Sequence, residues 1–422
     1  MVEIQQEEER PVQCMLVGAP EKQAGQGAIA ELEGLVHTLG FEIAESMVLS
    51  RIEPTPSYGI GTGKALEIAD RAKACSADCI IFDWELDPSK QRNWEKLASI
   101  PVFDRNEVII RIFASRARTK EASLQVELAR LVYSLPRLSH SYGNLARQRG
   151  GAFGNKGSGE TQLELDRRQL EDKIAQIKKE LEQVVNTRNI QRKQREKTAT
   201  RSCALVGYTN AGKSSLLNAL TGADVFVENK LFATLDPTTR KLALSEGSHV
   251  LLTDTVGFIS HLPHTLIEAF TSTLEEAALS DLLLIVVDAS DSSCVAQYQQ
   301  VLAVLKEIHA DSVKSLVVLN KWDRVADDPV LCSRRESEFP GAMHVSAKTE
   351  LGFDSLLAAI TEHLLGQEQC YLVPLERSDL VELVRKNGTI TSEDWRETDV
   401  ALTARLPAMS RTLALLAPYL VH

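Results

Sequence analysis

The sequence lacks any long apolar segment, and this absence limits the kinds of protein it can encode. None of its hydrophobic runs approaches the roughly 20 residues that a membrane-crossing helix requires. The chain starts with an acidic segment, which differs from the basic start and apolar core of a signal peptide. We therefore expect a protein without a membrane span that works in the cytoplasm.

Paired cysteines and an excess of positive charge are also missing. The 422 residues include seven scattered cysteines without Cys-x-x-Cys spacing, which indicates reduced thiols and neither disulfides nor a zinc site. The formal net charge of −11 argues against general binding to polyanions, so any contact with nucleic acid must come from local basic surface. The length suffices for two or three domains, and a hydrophobic content of 44% suffices for their cores.

Two segments do carry local positive charge. Residues 136–159 contain no acidic residue, and their basic residues are Arg137, Arg147, Arg149 and Lys156. Arg147, Arg149 and Lys156 lie in a glycine-rich stretch that could reach into folded RNA, and a merely flexible linker is the alternative. Residues 187–201 carry six basic residues and one acidic residue. A solvated helix face explains this pattern as well as a contact with nucleic acid does.

The part of the chain before residue 201 predicts two kinds of structure. Residues 1–115 alternate short apolar runs with helical stretches, which predicts an N-terminal α/β domain with a mainly parallel sheet. Residues 116–200 carry apolar residues at helical spacing and predict an antiparallel helical hairpin. We expect Pro136 to end the first of these helices and the basic glycine-rich loop at 137–160 to connect the two.

The strongest local pattern lies in residues 201–368 and is typical of a phosphate-binding loop. An apolar run at 203–206 predicts a strand, a helical stretch follows, and the turn between them reads glycine, four residues, glycine, lysine and serine. Loop N–H groups would face phosphate oxygens, Lys213 would reach the terminal phosphates, and Ser214 would offer its hydroxyl to Mg²⁺. The predicted phosphate-binding residues are Gly207, Tyr208, Thr209, Asn210, Ala211, Gly212, Lys213, Ser214 and Ser215.

Two later loops provide the remaining phosphate and magnesium contacts. The first consists of Phe232, Ala233, Thr234, Leu235 and Asp236. A threonine in or just after this loop can complete the magnesium shell. The spacing does not decide which of Thr234, Thr238 and Thr239 is the ligand. The second consists of Asp254, Thr255, Val256 and Gly257 at the end of an apolar strand. The Asp254 carboxylate can face the metal through water, and the Gly257 N–H can touch the terminal phosphate.

Two further loops predict that the base is guanine. Asn320, Lys321, Trp322 and Asp323 follow an apolar strand. The Asp323 carboxylate can accept two hydrogen bonds from guanine N1 and N2, whereas adenine would leave it unpaired. Lys321 can lie over the base plane. Another strand ends in Ser346, Ala347 and Lys348, where the Ala347 N–H could meet guanine O6. Loops that converge at the carboxyl ends of strands are typical of a doubly wound α/β fold.

The last segment, residues 369–422, predicts a small α+β domain. It contains a predicted strand at 370–374, a helix at 379–386, an alternating run at 400–406 and a closing helix. We find no catalytic constellation in it.

Together these motifs resemble the HflX family of translation-factor-related GTPases, and the resemblance covers nearly the whole chain. It extends to residues 113–129, 135–138 and 157–168, which are similar to that family's helical-subdomain signature. The resemblance implies that Thr234 is the magnesium ligand, next to Lys213 and Gly257 in the hydrolytic site. It also implies binding to the large ribosomal subunit and separation of stalled or idle ribosomes. Ser158 and Lys156 depart from the family's usual proline and arginine, and Phe153 enlarges the loop.

One position predicts that the hydrolytic site needs a partner to orient the attacking water. Phe258 follows Gly257, where Ras-like proteins carry a glutamine that orients the attacking water. We therefore expect slow intrinsic GTP hydrolysis by a monomer, with the ribosome as activator. The alternative function is a signalling switch that recruits protein effectors without binding RNA. A separate N-terminal ATPase site at Gly61–Lys64 is a third hypothesis, although Tyr58 stands where its first glycine would be needed.

Overall fold

A computed structural model describes residues 10–19, 28–52, 55–141, 158–197, 201–222, 231–244, 248–260, 276–406 and 411–421. These residues divide into two compact units. The first unit comprises residues 1–184, 228–235 and 261–270, and the second comprises 185–227, 236–260 and 271–422. No helix in the described part of the chain is both long and apolar enough to cross a membrane.

The first unit contains a fully parallel four-stranded sheet, which confirms the predicted N-terminal α/β domain. Its strands are β1 (Gln13–Gly18), β2 (Glu42–Val48), β3 (Cys79–Phe82) and β4 (Val102–Asp104), in the order β2-β1-β3-β4. Its helices are α1 (Ala28–Thr38), α2 (Thr62–Ala74), α3 (Pro88–Ala98) and α4 (Arg105–Arg116). The central strands are apolar runs without alternation because helices cover both faces of such a sheet.

Two long helices follow, α5 (Lys120–Ser141) and α6 (Ser158–Lys197). The expectation that Pro136 ends the first helix is wrong, since Pro136 lies inside α5. The next residue explains why the helix continues. The Arg137 guanidinium donates to the Tyr133 carbonyl at 2.9 Å, to the Leu86 carbonyl at 3.0 Å and to Asp104 Oδ2 at 3.1 Å. The bonds to Leu86 and Asp104 are tertiary, and they offset the helical hydrogen bond that proline cannot donate.

Asp104 is the centre of this polar network and is fully buried. Its carboxylate caps α4 by accepting from the Glu107 N–H at 2.9 Å, and it also accepts from the Tyr133 hydroxyl at 2.9 Å. Burial raises the pKa of Tyr133, and the adjacent Asp104 charge raises it further. Arg137, which the sequence presents as part of a basic surface segment, therefore serves inside the first unit.

The second unit contains a six-stranded mixed sheet, which agrees with the predicted doubly wound α/β fold. Its strands are β5 (Ser202–Gly207), β6 (Thr238–Ala243), β7 (His249–Asp254), β8 (Leu282–Asp288), β9 (Ser315–Asn320) and β10 (Met343–His344). The order is β10-β9-β8-β5-β7-β6, and β6 runs antiparallel to β7. Its helices are α7 (Lys213–Thr221), α8 (Cys294–Glu307), α9 (Pro329–Glu338) and α10 (Phe353–Leu365).

The chain closes with a three-stranded antiparallel sheet and two helices, which agrees with the predicted α+β class. The strands are β11 (Glu368–Pro374), β12 (Thr389–Trp395) and β13 (Asp399–Arg405), in the order β11-β13-β12. The helices are α11 (Ser378–Asn387) and α12 (Arg411–Leu416). The sequence reasoning missed β12 because this edge strand is polar and pairs only with β13.

Candidate nucleotide site

The phosphate-binding loop joins β5 to α7 and requires both of its motif glycines. Gly207 has a φ of +153°, and a Cβ placed on it would lie 2.2 Å from the Val286 carbonyl oxygen. Gly212 has a φ of +91°, and a Cβ there would lie 2.3 Å from Asn320 Nδ2. Neither position has room for a side chain, so these glycines let the loop approach the neighbouring strand ends.

Lys213 is the first residue of α7 and folds back over the loop. Its Nζ donates to the Gly207 carbonyl at 3.1 Å and to the Tyr208 carbonyl at 2.9 Å, and the residue is only 6% exposed. Burial lowers the pKa of Lys213 to about 8, although the negative charge of Asp254 opposes that shift. The ammonium is thus positioned in the loop and poorly solvated, a setting in which an added phosphate would stabilise its charge.

Ser214 and Asp254, the two residues of the second unit that are predicted to lie near Mg²⁺, are in direct contact. Ser214 Oγ donates to Asp254 Oδ2 at 2.6 Å, and Asp254 is fully buried at the end of β7. A hydroxyl and a carboxylate are the hard oxygen ligands that Mg²⁺ prefers, so the residues fit this ion. Among the described residues, no group of three or more His, Cys, Asp or Glu side chains could hold a metal. An ion here would take its other ligands from phosphates, from water and, as predicted, from Thr234.

The segment Phe232–Leu235 belongs to the first unit, whereas Asp236 belongs to the second. The Leu231 N–H donates to Thr38 Oγ1 at 3.2 Å. Phe232 is buried with a φ of +53°, and its ring meets Phe113 edge-on with 4.7 Å between centroids. Thr234 therefore lies in a segment that packs against the N-terminal α/β domain, and its role toward Mg²⁺ stays a prediction.

The other two threonine candidates lie on β6. Thr239 Oγ1 is 2.9 Å from Thr253 Oγ1 within the β6–β7 ladder, and Thr238 Oγ1 lies 3.5 Å from the Asp236 carbonyl oxygen. The Thr239 hydroxyl is thus used inside the sheet.

The segment after β7 lies directly on the phosphate-binding loop. A Cβ placed on Gly257 would be 2.9 Å from Lys213 Nζ and 2.9 Å from Thr209 Cα. The Phe258 N–H donates to the Gly207 carbonyl at 3.0 Å, and the Phe258 carbonyl accepts from the Thr209 N–H at 2.7 Å. Phe258 is 2% exposed, so its side chain packs in the core and has no polar atom to orient water.

The base-reading loops are held together by their own side chains. Asn320 Nδ2 donates to the Ala211 carbonyl at 2.9 Å, which ties β9 to the phosphate-binding loop. The Ala347 N–H, predicted to meet guanine O6, donates to Asn320 Oδ1 at 3.1 Å. The buried Ser346 hydroxyl donates to Asp323 Oδ1 at 2.7 Å. The carboxylate that would read guanine is therefore fixed before any base arrives.

Lys321 is held by a residue that the sequence reasoning missed. Its Nζ donates to the Asn210 carbonyl at 2.8 Å and to Asp288 Oδ2 at 2.7 Å. Asp288 ends β8 just as Asp254 ends β7, and that shared pattern could have revealed it. The buried Arg335 donates to the Ala289 carbonyl at 2.9 Å and holds the loop after β8, and no sequence signal marks this residue.

Trp322 is buried and stacks on His344, with 3.8 Å between the ring centroids. Lys348 closes the Ser346 turn, since its N–H donates to Ser346 Oγ at 3.3 Å. The predicted RNA-binding residues Arg147, Arg149 and Lys156 lie outside the described residues. Lys64 of the glycine-rich stretch Gly61–Lys64 lies in the first turn of α2, where it pairs with Glu67 at 2.9 Å.

Comparisons with known proteins cover three consecutive parts of the chain. Residues 26–114 match a family model described as "GTP-binding GTPase N-terminal", and residues 116–195 match "GTP-binding GTPase Middle Region". Residues 202–321 match "50S ribosome-binding GTPase".

Individual relatives match over most of their length. A protein named GTPase HflX from Akkermansia muciniphila is 45% identical, with 96% of this chain and 97% of that protein covered. GTPase HflX from Escherichia coli is 42% identical, with 90% and 89% covered. A crystal structure of a GTP-binding protein from Sulfolobus solfataricus with GDP is 25% identical, with a TM-score of 0.44 and 83% and 98% of the chains covered.

Proposed function

Because the chain belongs to the HflX family of GTPases, we propose that it binds the large ribosomal subunit and splits or remodels stalled or idle ribosomes. The observation that carries this proposal is the match of residues 202–321 to a 50S ribosome-binding GTPase, in a chain whose hydrolytic site lacks a water-orienting side chain after Gly257. The chain is a GTP hydrolase in its own right, and the ribosome is its proposed activator. We further propose that it acts as a monomer in the cytoplasm.

The hydrolytic chemistry follows from the phosphate-binding residues. The loop N–H groups and Lys213 would hold the phosphates, and the Gly257 N–H would contact the terminal phosphate. Mg²⁺, held by Ser214 and Thr234 with Asp254 acting through water, would neutralise charge on the phosphate oxygens. Asp323 would select guanine, with Lys321 over the base. Each group stabilises charge or position, which is what phosphoryl transfer requires of a protein.

The slow step is the activation of water. Phe258 occupies the position after Gly257, is buried, and has both backbone polar groups bonded to the phosphate-binding loop. It therefore supplies neither a base nor an orienting hydrogen bond. We propose that a group from the ribosome, or a loop that rearranges on it, completes the site. Hydrolysis would then release Thr234 and Gly257 from the terminal phosphate and its Mg²⁺, and change the affinity for the ribosome.

The segment that carries Thr234 offers a route for this change. Leu231 and Phe232 pack on Thr38 and Phe113 of the N-terminal α/β domain. We propose that loss of the Thr234 contact to Mg²⁺ changes the position of this segment on the domain and thereby the affinity for the ribosome.

The glycine-rich loop is the proposed RNA contact, and charge reversal tests it. Replacing Arg147, Arg149 and Lys156 with glutamate should abolish co-sedimentation with 50S subunits while intrinsic GTP hydrolysis persists. A matched control replaces three exposed lysines of the second unit with glutamate, which changes the net charge equally; these are Lys306, Lys314 and Lys386. Unchanged co-sedimentation of the loop variant would favour a signalling switch that recruits protein effectors.

A further inference from the structure

The phosphate-binding loop and the segment after β7 are joined beyond the ends of their strands. Within the sheet, Leu205 of β5 lies opposite Asp254 of β7. Further along, Tyr208 pairs with Phe258 in an isolated parallel bridge. The step from Leu205 to Tyr208 is three residues and the step from Asp254 to Phe258 is four, so one extra residue is accommodated on the β7 side.

A buried hydroxyl fills the place where the regular ladder is interrupted. Thr255 is fully buried, and its Oγ1 donates to the Leu205 carbonyl at 2.7 Å. This bond attaches the start of the irregular segment to β5. The extra residue makes the segment bulge, and the bulge brings Gly257 onto the phosphate-binding loop.

The end of the same segment is attached by the side chain of Tyr208. The Ser260 N–H donates to the Tyr208 hydroxyl oxygen at 2.7 Å, and Tyr208 is 8% exposed. Tyr208 therefore contacts the segment twice, through its backbone at Phe258 and through its hydroxyl at Ser260. A phenylalanine would keep the ring and the backbone bridge and would lose the hydroxyl that accepts from the Ser260 N–H.

Gly257 lies between these attachments and beside the lysine that would hold the terminal phosphates. A Cβ at this position would lie only 2.9 Å from Lys213 Nζ and from Thr209 Cα, so the backbone has no room for displacement toward the loop. The hydrogen bonds of Thr255, Phe258 and Ser260 oppose displacement in the other direction. The N–H that would contact the terminal phosphate is thus held in place before the nucleotide binds, which is the preorganisation that catalysis needs.

We propose that Tyr208 is a positioning residue for GTP hydrolysis, because its hydroxyl fixes the backbone of Gly257 and Phe258 against the phosphate-binding loop. This role concerns intrinsic hydrolysis by the chain alone. It is independent of whether the ribosome is the activator.

Tyr208→Phe tests this role in the full chain without ribosomal subunits. In single-turnover assays we expect the rate of GTP hydrolysis to fall about tenfold, the effect of losing one hydrogen bond from a preorganised segment. The dissociation constants for GTP and GDP should change less than about twofold, because the loop glycines, Lys213 and Asp323 are untouched. Thr255→Val, which loses the other anchoring hydroxyl, should slow hydrolysis in the same direction.

A matched control is Tyr298→Phe, which removes a tyrosine hydroxyl from α8 of the same unit and should leave the rate unchanged. Amide hydrogen exchange supplies a second readout. The Ser260 and Phe258 amides should exchange faster in Tyr208→Phe, while those of α7 keep their protection. An unchanged hydrolysis rate, a loss that appears only as weaker nucleotide binding, or unchanged exchange at Ser260 would each overturn the proposal.

Discussion

Replacing Asp323 with asparagine should convert the nucleotide preference of this GTPase from guanine to xanthine. The carboxylate is held in place by the Ser346 hydroxyl at 2.7 Å, and Ser346 in turn accepts from the Thr349 N–H at 3.2 Å. Asparagine has the same shape and keeps an oxygen for the Ser346 hydroxyl. The substitution therefore changes the charge and one acceptor while the surrounding turn stays bonded.

The magnitude follows from the two hydrogen bonds that guanine N1 and N2 would donate to Asp323. A hydrogen bond to a charged group contributes about 1.5–3 kcal/mol, so losing both costs about 3–6 kcal/mol. This corresponds to a fall in GTP affinity of about 10²-fold to 10⁴-fold. Xanthine presents an oxygen in place of the guanine N2 amino group, and the asparagine amide can donate to it. Binding of xanthosine triphosphate should rise accordingly.

The assay compares kcat/KM for GTP and xanthosine triphosphate in the wild type and in Asp323→Asn. Asp327→Asn is the matched control, since it makes the same chemical change at an exposed position four residues away and should leave both values unchanged. If kcat/KM for GTP falls less than about tenfold in Asp323→Asn, the assignment of Asp323 as the guanine-reading residue is wrong.

Two further predictions concern charge and stability. Burial lowers the pKa of Lys213 to about 8 in the nucleotide-free protein, and bound phosphate would raise it. GDP should therefore bind with proton uptake above pH 8, and it should bind more weakly as the pH rises from 8 to 9. Calorimetry in buffers of different ionisation enthalpy measures the proton uptake. Binding without proton uptake at pH 8.5 would contradict this prediction. Asp104→Ala should lower the opening free energy of the first turn of α4 by about 3 kcal/mol, because it loses a helix cap and a buried ion pair. Hydrogen exchange measures this loss. Arg111→Ala, which removes a partly exposed ion pair with Glu107 and a cation–π contact with Phe103, should change it by less than about 1 kcal/mol; equal effects of the two variants would refute the ranking.

Those residues of the candidate site that belong to motifs of fixed spacing could be predicted from the sequence. Lys213, Ser214, Asp254 and Asp323 lie at or after the carboxyl ends of parallel strands in one mixed sheet, and the fold brings these strand ends to one edge. The parallel N-terminal sheet was equally predictable, because its central strands are unbroken apolar runs between helical stretches.

What the sequence could not predict depends on contacts between distant residues. The role of Arg137 depends on Asp104 and Leu86, which only the folded first unit brings near. A count of basic residues therefore assigned it to a surface. The double attachment of Tyr208 depends on a one-residue bulge after β7, and no spacing rule identifies it. Strand β12 was missed because edge strands need not be apolar.

The most direct test of the central proposal is nucleotide hydrolysis with and without purified 50S subunits, using GTP and ATP in parallel. The buried Phe258 and Asp323, the residue proposed to read guanine, together predict slow hydrolysis of GTP by the chain alone and little turnover of ATP. Added 50S subunits should raise kcat for GTP, and Lys213→Ala should abolish turnover of both nucleotides. A kcat for GTP that 50S subunits and 70S ribosomes leave unchanged would contradict the proposal that the ribosome completes the site.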